Sequence, residues 1–261
     1  MEFIEFKDKK FNVETGSLFL NNQGIKYIHE IKELEKLTNL RILHLENNKI
    51  KELYIPKSLE NLEELHLDFN DISEIKSISH LTNLKYLSLH SNKISEIQDL
   101  DKLIELKELY LGDNQISVIS GLENLYNLES LFLFNNQISS IINLDNLQNL
   151  KVLRLDFNTI QNIEGLDTLT KLEHLGLSNN EITEIRNLDK LQRLRILELA
   201  YNQIQEMKGI ENLVNLEEVY LYCNKILKIE ALEKLTKLKK IHLYKNVLLC
   251  FQILHCPLHV Q

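Results

Sequence analysis

The chain has 261 residues, a formal net charge of −8, and 44% apolar residues against 26% charged ones. It is too apolar for a disordered chain, its 3 Cys are too few for a disulfide scaffold, and it has no run of 18 apolar residues that could cross a bilayer. Because the first residues are charged and no signal-peptide core follows, we expect a cytoplasmic protein with no membrane partner.

The N-terminal residues 1–17 predict a small β-type cap. Phe3, Ile4 and Phe6 stand before a polar turn, and Phe11 follows it. Two short apolar segments around a polar turn are typical of a β-hairpin. We expect this hairpin to cover the end of the structure that follows.

From residue 18 to residue 248 the sequence repeats itself. A Leu opens the pattern L-x-x-L-x-L-x-x-N-x-I every 22 residues, at Leu40, Leu62, Leu84, Leu106, Leu128, Leu150, Leu172, Leu194, Leu216 and Leu238. The Asn of the pattern recurs in step from Asn48 to Asn246, and a degenerate copy begins at Leu18. Ten full repeats and one degenerate repeat predict a solenoid.

Each half of the repeat predicts its own structure. The alternation around Leu87 and Leu89 is that of a short strand, with Tyr86, Ser88 and His90 facing outward. Such strands would stack in parallel, and each Asn would bond backbone left unpaired by the turn. The apolar residues of the second half recur every three positions, as in a 3₁₀-helix. We therefore predict an α/β solenoid with a concave parallel β-sheet and convex 3₁₀ or turn segments.

This consensus resembles the 22-residue class of leucine-rich repeats typified by a regulatory subunit of type-1 protein phosphatase and also seen in internalins. The resemblance implies a horseshoe whose buried consensus residues set the fold and whose variable positions set the function. In the phosphatase-regulating members, acidic and aromatic groove residues meet the enzyme. Residues similar in kind here are Glu64, Asp68, Glu108, Tyr110, Phe132, Phe134, Tyr220 and Tyr222, although the groove Trp of that family has no counterpart.

The C-terminal residues 249–261 are apolar and predict a short cap or tail. The longer capping motif of the phosphatase-regulator family is missing. Cys250, His255, Cys256 and His259 suggest zinc, but their spacing does not match the usual finger patterns. We favour a reduced, partly buried apolar cap, or an end that a partner or further sequence covers.

The predicted groove displays two aromatic clusters among acidic residues. One comprises Tyr86, Tyr110, Phe132 and Phe134 with Phe157 at its margin, and the other comprises Tyr201, Tyr220, Tyr222 and Tyr244. Exposed rings are typical of protein-binding hot spots, although rings on neighbouring strands also stabilise a sheet. We predict a partner-binding surface made of these nine residues together with Glu64, Asp68 and Glu108.

A polar cluster lies at the start of the groove. His44 and His66 occupy the same column one repeat apart, with Glu46, Asp68 and His90 beside them. Imidazoles and carboxylates on adjacent strands could reach one transition-metal ion. A solvated polar patch is the more ordinary interpretation, so we expect no bound metal.

Other functions are disfavoured. The net charge of −8 and the acidic groove argue against nucleic acid. Phosphate-binding loops, nucleophile elbows and zinc-protease motifs are all missing, so we expect no enzyme, no catalytic residues and no cofactor. The leading hypothesis is a scaffold that binds another protein, such as a protein phosphatase. The alternatives are an internalin-like adhesin and a consensus-like or truncated repeat protein without a specific partner.

Overall fold

The computed structural model describes residues 2–248, which form two compact units divided between Leu131 and Phe132. The predicted C-terminal cap and the cysteines and histidines within it lie outside the described residues. Strands of the first unit are β1 (Phe3–Phe6), β2 (Lys9–Asn12), β3 (Ser17–Phe19), β4 (Ile42–His44), β5 (Glu64–His66), β6 (Tyr86–Ser88) and β7 (Glu108–Tyr110). Those of the second are β9 (Val152–Arg154), β10 (His174–Gly176), β11 (Ile196–Glu198), β12 (Glu218–Tyr220) and β13 (Lys240–His242), while β8 (Ser130–Phe132) contains the division.

The hairpin β1–β2 begins the first unit. Its strands pair antiparallel, and the turn residues Lys7 and Asp8 both have positive φ, as a tight hairpin with the right-handed strand twist requires. Ile4 and Phe6 are buried because alternate side chains face the protein interior. The Lys7 ammonium donates to the Gln23 carbonyl at 2.7 Å and so attaches the hairpin to the first repeat.

In each unit the repeat strands are parallel and in register. β3 to β7 pair in chain order in the first unit, and β9 to β13 do so in the second. The strands are short because only the L-x-L segment is extended. Its inward residues, such as Leu87 and Leu89, are fully buried. The predicted parallel-sheet solenoid is confirmed in both units.

The other side of each repeat follows the three-residue period. Leu81 N–H donates to the Ile78 carbonyl and Leu84 N–H to the Leu81 carbonyl, at 2.9 and 3.0 Å. These bonds span three residues, as in a 3₁₀ turn. Full 3₁₀-helices occur at Ile28–Glu30, Leu34–Lys36 and Lys57–Leu59, and residues 2–248 include no α-helix. The predicted 3₁₀ and turn segments are therefore confirmed.

The Asn column closes the turn after each strand. Asn92 donates from Nδ2 to the carbonyls of Leu67 and Leu89, each at 3.0 Å, and its Oδ1 accepts from Ile72 N–H at 3.0 Å. Each amide thereby links its own repeat to the one before. This arrangement satisfies backbone groups that burial would otherwise leave without water.

Candidate functional site

The variable strand positions form an open face on each unit. We call these the first-unit face, on strands β3 to β7 and the residues that follow them, and the second-unit face. The second-unit face begins with Phe132 at the end of β8 and continues on strands β9 to β13 and the residues that follow each strand. The first holds Glu64, Asp68, Tyr86, Glu108 and Tyr110 of the predicted binding residues, and the second holds Phe132, Phe134, Phe157, Tyr201, Tyr220, Tyr222 and Tyr244. The aromatic cluster predicted around Tyr110 and Phe132 thus has members in both units.

Five rings form a continuous column on the first-unit face. The centroids of Phe19 and His44 are 4.5 Å apart, those of His44 and His66 are 4.2 Å apart, and both pairs are stacked. Tyr86 follows at 4.6 Å from His66, and Tyr110 at 5.1 Å from Tyr86. The in-register strands place Phe19, His44, His66 and Tyr110 at equivalent positions. Tyr86 instead occupies the neighbouring position, and its ring packs between those of His66 and Tyr110, where the equivalent residue is Ser88.

Phe19 was missed by the sequence reasoning because its repeat is degenerate. Its register with His44 places it in the same column. Half of its surface is exposed although it stacks on a ring. Alignment of the imperfect first repeat on its L-x-L pair would have identified it.

The acidic residues of this face are held by different partners. Asp68 accepts hydrogen bonds from the Ser88 hydroxyl and, at 2.9 Å, from His90 N–H. Tyr110 Oη donates to Glu108 at 2.8 Å, and burial with this carboxylate raises the pKa of Tyr110. Ser88 faces the open side as predicted, yet it is buried rather than exposed, since its neighbours cover so small a side chain.

Of the polar cluster, only three residues converge. Ligand atoms of His44, Glu46 and His66 all lie within 4.8 Å of one another. His44 Nδ1 is 3.0 Å from Glu46 Oε1, and His66 Nε2 is 3.3 Å from Glu64 Oε2. Burial and the nearby His44 lower the pKa of His66, which favours the neutral form of this imidazole.

The other two members point elsewhere. The His90 ring pairs with Asp113, with Nε2 at 3.1 Å from Oδ2. The Asp68 carboxylate is engaged by Ser88 and by backbone. The five-residue cluster predicted from the sequence is therefore a group of three.

The second-unit face has a tyrosine cluster at its C-terminal strands. Tyr222 and Tyr244 stack with centroids 4.5 Å apart, and Tyr201 meets Tyr222 edge-on at 5.4 Å. Tyr220 stacks on His242 at 4.7 Å and donates to Glu218 at 2.5 Å, which raises the pKa of Tyr220 to about 12. Tyr201 and Tyr244 are each 47% exposed. Of the four tyrosines predicted to cluster, Tyr201, Tyr222 and Tyr244 pack together and Tyr220 packs on His242 instead, while their role in binding stays a prediction.

A charged network occupies the middle of the same face. Arg154 Nε donates to Asp156 at 2.6 Å, and His174 Nε2 is 2.6 Å from Glu198. Burial opposes ionisation of Glu198, but the hydrogen bond with His174 and the charge of Arg154 together lower its pKa. Gly176 makes room for this network, because a Cβ there would collide with the Arg154 and Asp156 side chains.

The residue that precedes each Asn of the repeat has a left-handed backbone conformation. All ten such residues have φ between +51° and +56°, namely Asn47, Phe69, Ser91, Asp113, Asn135, Phe157, Asn179, Tyr201, Cys223 and Lys245. Left-handed backbone suits Asn and Asp but is costly for bulky residues. Phe69, Phe157 and Tyr201 nevertheless occupy it, and each is about half exposed. Phe69 was absent from the predicted binding set, and the column before the Asn ladder is the signal that identifies it.

Family models place this fold among known proteins. The model described as Leucine Rich repeats (2 copies) matches residues 60–102, 104–147, 148–190, 170–213 and 192–234. The model described as Leucine Rich Repeat matches residues 39–62. Together these matches cover most of the repeat region. No curated protein gave a significant sequence match.

Solved structures agree with the family. The functional domain of InlJ from Listeria monocytogenes, which includes a cysteine ladder, is 24% identical to this chain, with a TM-score of 0.77. The match covers 90% of this chain and 50% of the InlJ chain. The Leptospira interrogans leucine-rich repeat protein LIC12759 is 28% identical, with a TM-score of 0.74, and the match covers 87% of this chain and 66% of that protein. Internalin C2 from Listeria monocytogenes is 30% identical, with a TM-score of 0.67, and the match covers 72% of this chain and 84% of the internalin chain. The chain thus spans about half the length of the InlJ domain.

Within residues 2–248, no helix has the length and apolar character needed to cross a membrane. The repeat period, the Asn column and the family matches all agree with one another. The chain therefore belongs to the leucine-rich repeat family.

Proposed function

We propose that this chain is a non-enzymatic scaffold that binds a partner protein through the open faces of its sheet. Leucine-rich repeat domains generally bind other proteins, and the variable positions here combine half-exposed rings with carboxylates. Aromatic side chains contribute large contact area at low entropic cost, and they are enriched at interface hot spots. The partner is a protein, not nucleic acid or a membrane.

The observation that best supports this proposal is the use of Phe69, Phe157 and Tyr201 at left-handed positions. Asn stands at the same position in other repeats and tolerates this backbone at lower cost. These rings are also about half exposed, so burial recovers only part of the lost stability. Residues that cost stability in the free protein are expected where function needs them. We infer that these rings make contacts with the partner.

The narrower form of the proposal is an adaptor that regulates a protein phosphatase. Its support is the kind of residue on the two faces, with Glu64, Asp68 and Glu108 among aromatic rings. Titration of purified type-1 phosphatase catalytic subunit into the full chain tests this form directly. Saturable binding that Tyr110→Ala weakens would support it, and no binding at micromolar concentrations would contradict it.

The second candidate is an internalin-like adhesin. Internalin C2 matches this chain at 30% identity over 84% of its own length. Localisation of the native protein separates the candidates, since a scaffold in the cytoplasm fractionates with soluble cytoplasmic proteins and an adhesin is found at the cell surface. Protease treatment of intact cells provides the matching test, because only a surface protein would be digested.

The general proposal is tested by comparing matched tyrosine variants. The face variant is Tyr201→Asn with Tyr244→Ser, and the control is Tyr54→Ser, which changes an exposed tyrosine away from both faces. Each full chain is used to capture proteins from native lysate, and the candidate partner is then purified and titrated by calorimetry. We expect the face variant to weaken binding at least about tenfold, since a hot-spot aromatic is worth about 2 kcal/mol or more. Equal affinities for parent and face variant would contradict the proposal at the second-unit face.

A further inference from the structure

We propose that His44, Glu46 and His66 form a binding site for a divalent transition-metal ion of the zinc type. Two imidazoles and one carboxylate form a donor set found in zinc sites that keep one coordination position open. The expectation from the sequence was a solvated patch without metal. In the structure, however, the three side chains converge while the other members of the predicted cluster do not.

The distances allow coordination with small movements. The donor atoms lie within 4.8 Å of one another, whereas tetrahedral zinc with bonds of about 2.0–2.1 Å places its donors about 3.3 Å apart. The two rings are stacked at an interplanar angle of 16°, so they must rotate for their nitrogen lone pairs to converge. Rotation about χ2 of His is soft, because this torsion has broad minima.

Glu46 supplies the strongest local indication that this group of side chains suits a cation. Its Oε1 contacts His44 Nδ1 at 3.0 Å, while its Oε2 is buried without a hydrogen-bond partner. A buried carboxylate oxygen without a partner is costly. A metal ion would replace the proton shared between His44 and Glu46 and would give this carboxylate a positive partner.

The surroundings suit a bound metal. Phe19 stacks on His44, and Tyr86 packs on His66 from the other side, so two rings limit access of water to the imidazoles. Glu64 Oε2, 3.3 Å from His66 Nε2, can hold the proton on that nitrogen and leave Nδ1 for the metal. An apolar shell and a carboxylate on the second nitrogen are common around metal-binding histidines.

The site differs from a similar His–Glu pair in the second unit in having no nearby Lys or Arg ion pair among the described residues. Neither Glu46 nor Glu64 forms an ion pair with Lys or Arg within residues 2–248. By contrast, Glu198 beside His174 also contacts Arg154 at 3.4 Å, and this guanidinium would repel a metal ion. His174 therefore provides a matched control, with the same residue pair but a cation already in place.

The experiment is a calorimetric titration of Zn²⁺ into the full chain. The parent carries Cys250→Ser, Cys256→Ser, His255→Gln and His259→Gln, so that the C-terminal tail supplies no ligands. His44→Gln, His66→Gln and Glu46→Gln are added singly, with Glu64→Gln as an outer-shell variant and His174→Gln as the control. Circular dichroism establishes that each variant is folded. Co²⁺ absorption reports the coordination number, and Mg²⁺ tests for non-specific binding to carboxylates.

We expect one Zn²⁺ per chain in the parent and in His174→Gln. Loss of a ligand should weaken binding more than about 100-fold, and Glu64→Gln about 10- to 100-fold, the usual effect of an outer-shell change. The proposal is wrong if the parent binds no Zn²⁺, or if His44→Gln and His66→Gln bind it as well as the parent does. Should a variant not fold, imidazole ¹⁵N shifts of the parent decide, because Zn²⁺ must move the His44 and His66 resonances and not those of His174.

Discussion

At the scale of single residues, the Asn column shows how a polar side chain stabilises a repeat. Asn92 is almost fully buried, and four hydrogen bonds join its amide to backbone of two repeats. The side chain replaces water that the packed turn excludes. Its energetic importance therefore lies in the hydrogen bonds that its removal would take from this buried backbone.

Asn92→Ala should lower the free energy of unfolding by about 1–3 kcal/mol, because the buried Ile72 N–H would lose its partner. The Leu67 and Leu89 carbonyls would each lose one of two Asn donors and keep the other, from Asn70 and Asn114 respectively. Urea unfolding monitored by circular dichroism measures the change. Asn83→Ala is the control, since the Asn83 amide donates to Glu60 at an exposed position, and its effect should stay within about 0.5 kcal/mol. An equal decrease in the free energy of unfolding in both variants would show that the burial of the Asn column is not the source of its stabilising effect.

The left-handed position gives a second prediction at the residue scale. Phe157→Asn should raise the free energy of unfolding by about 1 kcal/mol, because φ of +55° suits Asn better than Phe. The reverse change, Asn179→Phe, keeps the same backbone at φ of +56° and should lower stability by a similar amount. If Phe157→Asn destabilises the chain, the Phe157 ring has a structural role and the argument for its function fails.

At the scale of elements, charged columns connect the ends of successive strands. Arg41 and Lys85 contact the Glu63 carboxylate at 2.6 and 2.7 Å in the first unit. Arg195 and Lys239 do the same for Glu217 in the second. Each of these carboxylates pairs with one cation from the repeat before it and one from the repeat after it. This arrangement favours the in-register stacking of the strands. These pairs are partly solvated, so their contribution is modest and depends on salt.

Glu63 should give the first unit an acid-sensitive contribution to stability. Hydrogen bonds from Arg41 and Lys85 lower the pKa of Glu63 from 4.5 to about 2. A carboxyl group with a lowered pKa stabilises the folded state above pH 4.5, and this stabilisation disappears as the pH falls towards 2. The parent should therefore be more stable than Glu63→Gln at pH 6, and the difference should vanish near pH 2.

Urea midpoints at low salt over this pH range test that prediction. Glu105→Gln is the control, because Glu105 forms no ion pair among the described residues. Its difference from the parent should show no comparable change with pH. High salt should reduce the Glu63 effect, since it screens exposed charges. A pH-independent difference between parent and Glu63→Gln would refute the assignment.

At the scale of the whole molecule, each unit is built from repeats that contact mainly their neighbours. The 22-residue period is constant from Leu40 to Leu238. The buried columns are continued by each added repeat, so stability is close to a sum over repeats and their interfaces. Length is thus a property that can change in whole periods without altering the core.

Deletion of residues 84–105 removes one period of the first unit and should leave a cooperatively folded chain. Leu106 would then take the place of Leu84, with all consensus residues in register. We expect a lower free energy of unfolding and a slightly lower m value, because less surface is exposed on unfolding. Deletion of residues 84–94 would instead place a turn segment where a strand is required and should prevent folding. Equal behaviour of the two deletions would contradict the modular view.

The candidate sites were only partly predictable. The sequence places Tyr201, Tyr222 and Tyr244 in neighbouring repeats, and their rings do pack together. It also places His90 near His44, but the His90 ring pairs with Asp113 instead. Column position follows from the period, whereas the direction of a side chain depends on rotamers and on competition among neighbouring partners.

The amino-acid sequence alone predicts the repeat, the parallel strands, the three-residue turns and the buried columns. It could do so because the same 22-residue pattern repeats those local preferences many times, and only stacking can bury their apolar faces. Which outward residues converge depends on three-dimensional packing. The grouping of His44, Glu46 and His66, the unpartnered Glu46 oxygen and the left-handed backbone beneath Phe157 each depend on three-dimensional contacts and torsions. Such contacts vary from repeat to repeat, and the periodicity that fixes the fold does not constrain them.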